Sequence, residues 1–413
     1  MFAHIRHAVA VLVLISATAA PSRSSSQETD RFRELARRVV QTSAAVKPGD
    51  AVIVSGGRHT TPFMEALGVE VIRAGATPWL SLESDRLFAT FFRELPEQHL
   101  RTFDSVSTAI YGDQLKRANA MIILPFSDNP DTLLQSFTAD TVRMAKLMKT
   151  FGASQQRFDE MRNTARTRFV FLNYPPTKSD IARSGMDSAS FDRMIWEAIN
   201  ADYDRIANQG RAIKRLLDAG KTVRVTTPTG TDIRLSLTGR PAAVIGATLP
   251  AGQGQAKLSA QRSVTLPGGR VAVAPLETSA NGKVVIARDN CFGSPVVNAQ
   301  FELRSGKMTG FRADSGGACI TNFLNSSPGP DDVVGALSIG LNPALKPVEA
   351  GVGYRPWEAS GAVVLALGNN TDLGGKNNTP AGVPFWLARA TVEIDGKVVV
   401  RDGQVVSDVA QVR

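Results

Sequence analysis

Short apolar runs alternate with amphipathic stretches through the first half of the chain, and this alternation restricts the fold more than any other feature. Ala51 to Val54, Thr77 to Leu80, Met121 to Leu124 and Phe169 to Leu172 read as strands, three of them continuous apolar runs of the kind buried on both faces. Phe32, Leu35, Ala36, Val39 and Val40 recur at helical spacing before the first of them. Met64, Leu67, Val71 and Ile72 do the same after it, and Gly75 stands where a helix ends. Leu100 to Arg117 and Thr132 to Met148 are further helical stretches. Strands separated by helices pair in parallel through right-handed crossovers, so the expectation is α/β: a doubly wound N-terminal domain over residues 30–220.

The spacing also predicts one long helix capped by Asp187, carrying Phe191, Ile195, Ile199, Ile206, Ile213 and Leu217 and closed by Gly220. Beyond Gly220 the texture changes to short strands and frequent turns. Thr229-Gly230-Thr231-Asp232, Asn281-Gly282 and Asp395-Gly396 carry turn chemistry. A β-rich C-terminal domain is expected over residues 221–413.

The opening of the chain reads as a secretory signal over residues 1–19: Arg6 and His7, an apolar run from Ala8 to Ile15, then Ala17-Thr18-Ala19 as a small-x-small cleavage pattern. The run is too short to span a bilayer, and no other stretch reaches the length a transmembrane helix needs. Residues 20–29, rich in serine, follow as a flexible tether. The chain is therefore expected to be exported, periplasmic or secreted, without stable membrane insertion. Its 413 residues carry 47 basic and 38 acidic side chains, a net +9 with no block of like charge and no basic run interleaved with aromatics, which argues against nucleic acid as a partner.

Local signatures of catalysis are missing: there is no HExxH, GxSxG, Walker loop or GxGxxG. Ser55-Gly56-Gly57 after a strand reads as a tight turn, or as a cradle for an anion. Of four histidines, His4 and His7 fall in the signal and His59 and His99 in the N-terminal half, so residues 100–413 contain none. Cys291 and Cys319 read either as a disulfide, which export permits, or as two separately buried thiols. A nucleophilic role for Cys291 or Ser315 would need His59 to reach across as base.

Val46 to Val54, Ala74 to Pro78, Tyr174-Pro175-Pro176, Gly230-Thr231-Asp232, Leu266 to Gly269, Ala274 to Glu277, Asn281-Gly282, Ile339 to Pro343, Ala366 to Gly368 and Gly374 to Asn377 occur in one order and at similar spacing to the motifs of a known family. On them the chain resembles the aminopeptidase T family of metallopeptidases (thermophilic metalloaminopeptidases of leucyl aminopeptidase type) from about residue 30 to the end. The resemblance implies a two-domain fold with a cleft, a homodimer, and two divalent metals such as zinc or cobalt that activate a water for proteolysis.

Carried across position by position, the family's metal ligands do not reappear. The glutamate after the paired glycines is Arg270, and the second glutamate is Ala336. The histidine four residues before Gly368 is Val364, and the closing His-x-Asp falls on Gly382 and Pro384. Arginine is cationic and cannot ligate a metal, and the other four side chains have no donor atoms. The expectation is thus a pseudoenzyme with no metal cofactor and no catalytic residue, binding a small or peptide-like ligand in the cleft through Arg270, Glu277, Asn281 and Asn377. Arg270 in such a pocket suits a carboxylate or phosphate. The alternative is an active aminopeptidase or other hydrolase whose metal site is rebuilt on nearby carboxylates, among Glu277, Asp289, Asp314, Glu349, Glu358 and Asp372.

Overall fold

The computed structural model describes residues 23–133, 141–291, 294–325, 329–347, 356–379 and 382–407. The signal segment and Glu349 lie outside the described residues.

The alternation in the sequence becomes a parallel sheet. Helix α1 (Arg23–Arg38), which begins inside the stretch expected as a tether, leads to β1 (Ala51–Gly57), α2 (Thr61–Arg73) and β2 (Thr77–Glu83). Then come α3 (Asp85–Glu94), α4 (Leu100–Arg117), β3 (Ala120–Ile123), α5 (Thr141–Thr164) and β4 (Arg168–Leu172). The strand order is β2-β1-β3-β4, all parallel, so the winding reverses between β1 and β3 as a doubly wound sheet requires. Gly75 adopts φ +73°, the left-handed C-cap that its position predicts.

The expected long helix is two pieces. Beyond α6 (Lys178–Ser184), α7 (Ser188–Ile199) and α8 (Tyr203–Ala219) are separate helices. Asp187 caps the first by accepting the Ser190 N–H at 2.9 Å, as expected. The break comes at Asp202, whose carboxylate accepts the Arg205 N–H at 3.0 Å and starts a new helix where apolar spacing alone reads straight through.

The second half holds two antiparallel sheets. β5 (Thr222–Thr226), β6 (Asp232–Ser236) and β7 (Ala242–Ile245) come first. β8 (Ser263–Leu266) then returns to the parallel sheet and pairs with β4 as its fifth strand. β9 (Arg270–Val273), β10 (Asn281–Cys291), β11 (Ser294–Arg304), β12 (Lys307–Arg312), α9 (Gly317–Asn325), β13 (Val334–Gly340) and β14 (Val363–Gly368) follow. The chain ends in β15 (Gly382–Trp386), β16 (Thr391–Ile394), β17 (Lys397–Arg401) and β18 (Gln404–Val405). An eight-stranded sheet, β12-β11-β10-β6-β5-β16-β17-β18, faces a five-stranded one, β15-β14-β13-β9-β7, and they share one apolar core that includes Val225, Ile233, Phe301, Leu337, Leu365 and Phe385. Asp395-Gly396 makes the hairpin turn expected of it, with φ +48° and +82°. Asn281-Gly282 does not: it opens β10, where a Cβ on Gly282 would collide with the Asp232 carbonyl.

Candidate functional site

The connection from β8 to β9 carries the chain out of the parallel sheet and into the five-stranded one, and it is only Pro267-Gly268-Gly269 long. Both glycines are required by space. A Cβ on Gly268 would collide with the Thr265 carbonyl, and Gly269 has φ +119°. The turn is clamped from behind. Asn342 is fully buried and donates to the carbonyls of Ala198 and Gly268, each at 3.0 Å. Tyr203 donates its hydroxyl to the same Ala198 carbonyl at 2.7 Å and accepts the Gly268 N–H at 3.2 Å. Burial pushes the Tyr203 hydroxyl up to about 12, so it stays a donor. The clamp fixes the next residue, Arg270, at the seam between the two sheets.

At that seam lies a cleft of about 790 Å³. Phe171, Asn173, Thr265 and Pro267 line it from the parallel sheet and the ends of its strands, and Arg270, Val364, Gly382 and Pro384 from the five-stranded sheet. Four of the five positions that the resemblance assigns to metal ligands therefore come together on one wall. The strand register places them there, with Val364 opposite Trp386 and Gly382 opposite Gly368. Ala336, on β13 opposite Ala366, does not line the cleft; it packs with Ile245 and Ala260, which do.

Arg270 is not a free cation. It pairs with Glu358, which is buried, and its guanidinium lies over Trp357 at 5.5 Å from the ring centroid. Its charge is thus already matched by Glu358. Glu358 and Trp357 line the cleft, as do Asp289 and Asp372. Asp289 accepts the N–H groups of Asn290 at 2.8 Å and Trp386 at 3.2 Å. Asp372 is pushed above the ordinary carboxylate range by burial, which Arg162 and Arg270 only partly offset. Arginine, valine, glycine and proline do not fit a pair of divalent cations, and among the described residues no three His, Cys, Asp or Glu side chains form a group able to hold a metal ion.

The other expected ligand-binding residues lie elsewhere and serve as fasteners. Glu277 pairs with Arg240 and accepts the Lys376 N–H at 2.7 Å and the Asn370 amide at 3.1 Å. Burial opposes its ionisation, but these hydrogen bonds and Arg240 outweigh it and hold the carboxyl below its usual range. Asn377 is buried and donates to the Val334 and Gly368 carbonyls at 3.0 and 3.1 Å. Asn281 bridges Ser279 and Ser305, each at 3.0 Å. None of the three lines the cleft. Asp314 is exposed and bonded to Asn298 at 2.6 Å.

Cys291 and Cys319 are joined in a disulfide that ties the end of β10 to α9 beside the cleft. This leaves Cys291 no thiolate, and the nucleophile reading of it lapses. Ser315 sits on an exposed turn bridged to Val297. His59 is at the end of β1, outside the cleft, with Nε2 buried and unpaired and its pKa lowered by that burial. Gly57 beside it is packed against the Phe126 carbonyl, and Ser55-Gly56-Gly57 is the close-packed end of β1, paired with Ser81 to Glu83, where a tight turn was expected.

A family model described as thermophilic metalloprotease (M29) matches residues 28–345. No curated protein sequence matches the chain. Among solved structures, wild-type AmpT from Thermus thermophilus superposes with a TM-score of 0.68 at 17% identity, covering 91% of this chain and 99% of that one. The 2,5-dihydroxypyridine dioxygenase of Pseudomonas putida KT2440 superposes with a TM-score of 0.56 at 15% identity, covering 92% of this chain and 98% of that one. At these identities the likeness is one of fold.

Proposed function

We propose that this chain, which belongs to the thermophilic metalloprotease (M29) family, is an exported binding protein that takes a small or peptide-like ligand in its cleft without metal-activated hydrolysis. The observation that carries this is Arg270: it stands where the resemblance places a family metal ligand, paired with Glu358 and stacked on Trp357, beside a valine, a glycine and a proline. A cation fixed there repels a dication, and its neighbours give no donor atom. The cleft keeps the size and the apolar wall with convergent polar groups that a ligand site has.

Export is supported by the leader-like opening and by the Cys291–Cys319 disulfide, a bond typical of oxidising compartments. Among the described residues no helix is long and apolar enough to cross a membrane. The homodimer implied by the resemblance has a face to use. The exposed large apolar side chains among the described residues run from Val69 to Phe126, with Trp79, Leu80 and Leu82 on the open edge strand β2. Sedimentation at micromolar concentration tests it, and a monomer there removes it.

The test of the main reading is elemental analysis of the mature protein before and after incubation with zinc, cobalt and manganese, together with a peptide panel. Metal well below one equivalent and no release of N-terminal residues are expected. Stoichiometric metal with metal-dependent release overturns the reading. It would favour instead a hydrolase rebuilt on Asp289, Glu358 and Asp372, the three anticipated carboxylates that do line the cleft.

A further inference from the structure

The hydrogen-bonding groups of the cleft wall narrow the ligand further, on the premise that the cleft binds one. Several polar side chains of the wall are committed to the fold. Ser263 donates to the Ser259 carbonyl at 2.7 Å, Ser259 donates to the Asn163 amide, and Arg270 pairs with Glu358. Asn173 and Thr265 are not so committed. Both line the cleft, and among the described residues neither side chain has a hydrogen-bond partner.

The parallel sheet makes the two neighbours. β4 pairs with β8 so that Phe171 stands opposite Thr265. The Asn173 N–H donates to the Leu266 carbonyl at 2.8 Å and carries the ladder one residue beyond β4. Phe171, Asn173 and Thr265 therefore share one face of the sheet, the face that lines the cleft. Strand spacing and rise put the Cα atoms of Asn173 and Thr265 roughly 8 Å apart. Both stand at the carboxyl ends of parallel strands, where open α/β sheets take their ligands. Thr265 is buried, and a hydroxyl there costs free energy while unmet; the cleft is the side from which a partner can come.

Neither side chain carries charge. The Asn173 amide holds N–H and C=O groups side by side, and Thr265 adds a hydroxyl that can donate or accept. A primary carboxamide presents the same two groups side by side, so it can close a pair of hydrogen bonds with Asn173 and a further one with Thr265. A trans peptide bond points its N–H and C=O in opposite directions and cannot close that pair. Phe171, Phe323 and Trp357 supply apolar wall for the rest of the molecule. We infer that Asn173 and Thr265 hold a neutral primary carboxamide carried on a small apolar body.

Three probes on one body test this by calorimetric titration into the mature protein at neutral pH: 3-phenylpropanamide, methyl 3-phenylpropanoate and the 3-phenylpropanoate anion. The amide is expected to bind at least about fivefold tighter than either of the others, the worth of one neutral hydrogen bond. Asn173→Leu is expected to abolish the lead of the amide over the ester, and Thr265→Val to weaken the amide about fivefold. Neither variant removes a side-chain hydrogen bond from the protein, so the thermal transition should stay in place. Equal or tighter binding of the ester or the anion overturns the inference and leaves cleft binding standing. Saturable binding of none of the three also overturns it, as do variants that leave amide binding unchanged. Metal-dependent peptide release, measured separately, would strike the underlying reading instead.

Discussion

Arg270 and Glu358 form an ion pair across the cleft wall, joining residues 88 positions apart in sequence, with Trp357 beneath the guanidinium. The glutamate side chain is 8% exposed and the arginine 21%, so neither charge is well solvated alone. Removing one partner from a buried pair costs about 3–5 kcal/mol, and the partial exposure of Arg270 places Arg270→Met at about 2–3 kcal/mol. Replacing both by apolar residues of similar volume is close to neutral, so the double variant Arg270→Met, Glu358→Leu should recover most of the loss. Urea unfolding of the four proteins measures the coupling; strictly additive losses would show that the pair does not act as a unit.

Asn377 gives the opposite kind of prediction. Its amide is the donor for two buried backbone carbonyls, those of Val334 and Gly368, which join β13, β14 and the loop before β15. Asn377→Leu leaves both acceptors unmet in the interior, at a cost of about 2–3 kcal/mol. Because Asn377 does not reach the cleft, the affinity of any cleft ligand should stay within about twofold of the parent protein, the change an uncoupled site shows. Chemical denaturation checks the first outcome and calorimetry the second. A large affinity loss without a stability loss would return Asn377 to the binding site.

The parts of the fold that could be read from the sequence are those where local pattern and tertiary role agree. β1, β3 and β4 are buried apolar strands, and α4 runs over the predicted Leu100–Arg117. β8 was not legible, because four residues in a β-rich context carry no sign that they will cross back to a parallel sheet; β4 decides it. The cleft wall was half legible. Motif order placed Arg270, Val364, Gly382 and Pro384 on one surface. The pairing of Arg270 with Glu358 is a long-range contact that no local spacing announces, and it offsets the charge inferred from Arg270 alone. Glu277, Asn281 and Asn377 belong to motifs that the fold itself explains, since each holds a turn or a strand junction.

The disulfide closes a loop between residues 28 positions apart and fixes α9, whose Ile320 and Phe323 form part of the cleft wall. Chain-entropy arguments give a loop of that length about 3.6 kcal/mol. Cys291→Ala, Cys319→Ala should lower stability by about that amount and weaken cleft ligands, since the wall that α9 supplies is no longer tied to β10. Denaturation with and without reductant measures the first effect, and titration with a dipeptide the second. Stability unchanged by reduction would mean that the packing of α9 alone holds the wall.

Asp372 makes stability depend on pH in a direction opposite to the usual acid denaturation. Its folded pKa lies above the ordinary carboxylate value, with burial as the main cause and Arg162 and Arg270 opposing it. The folded protein therefore holds this proton more tightly than the unfolded chain does. The stability this contributes is fully present below the unfolded pKa and is lost as pH rises through the folded one. Above that window the site costs stability, so Asp372→Asn should raise the unfolding free energy at neutral pH, and the difference between the two proteins should shrink toward acid pH. Parallel unfolding curves from acid to neutral pH decide it: an Asn variant less stable than the parent at neutral pH would mean that Asp372 is compensated in the folded protein.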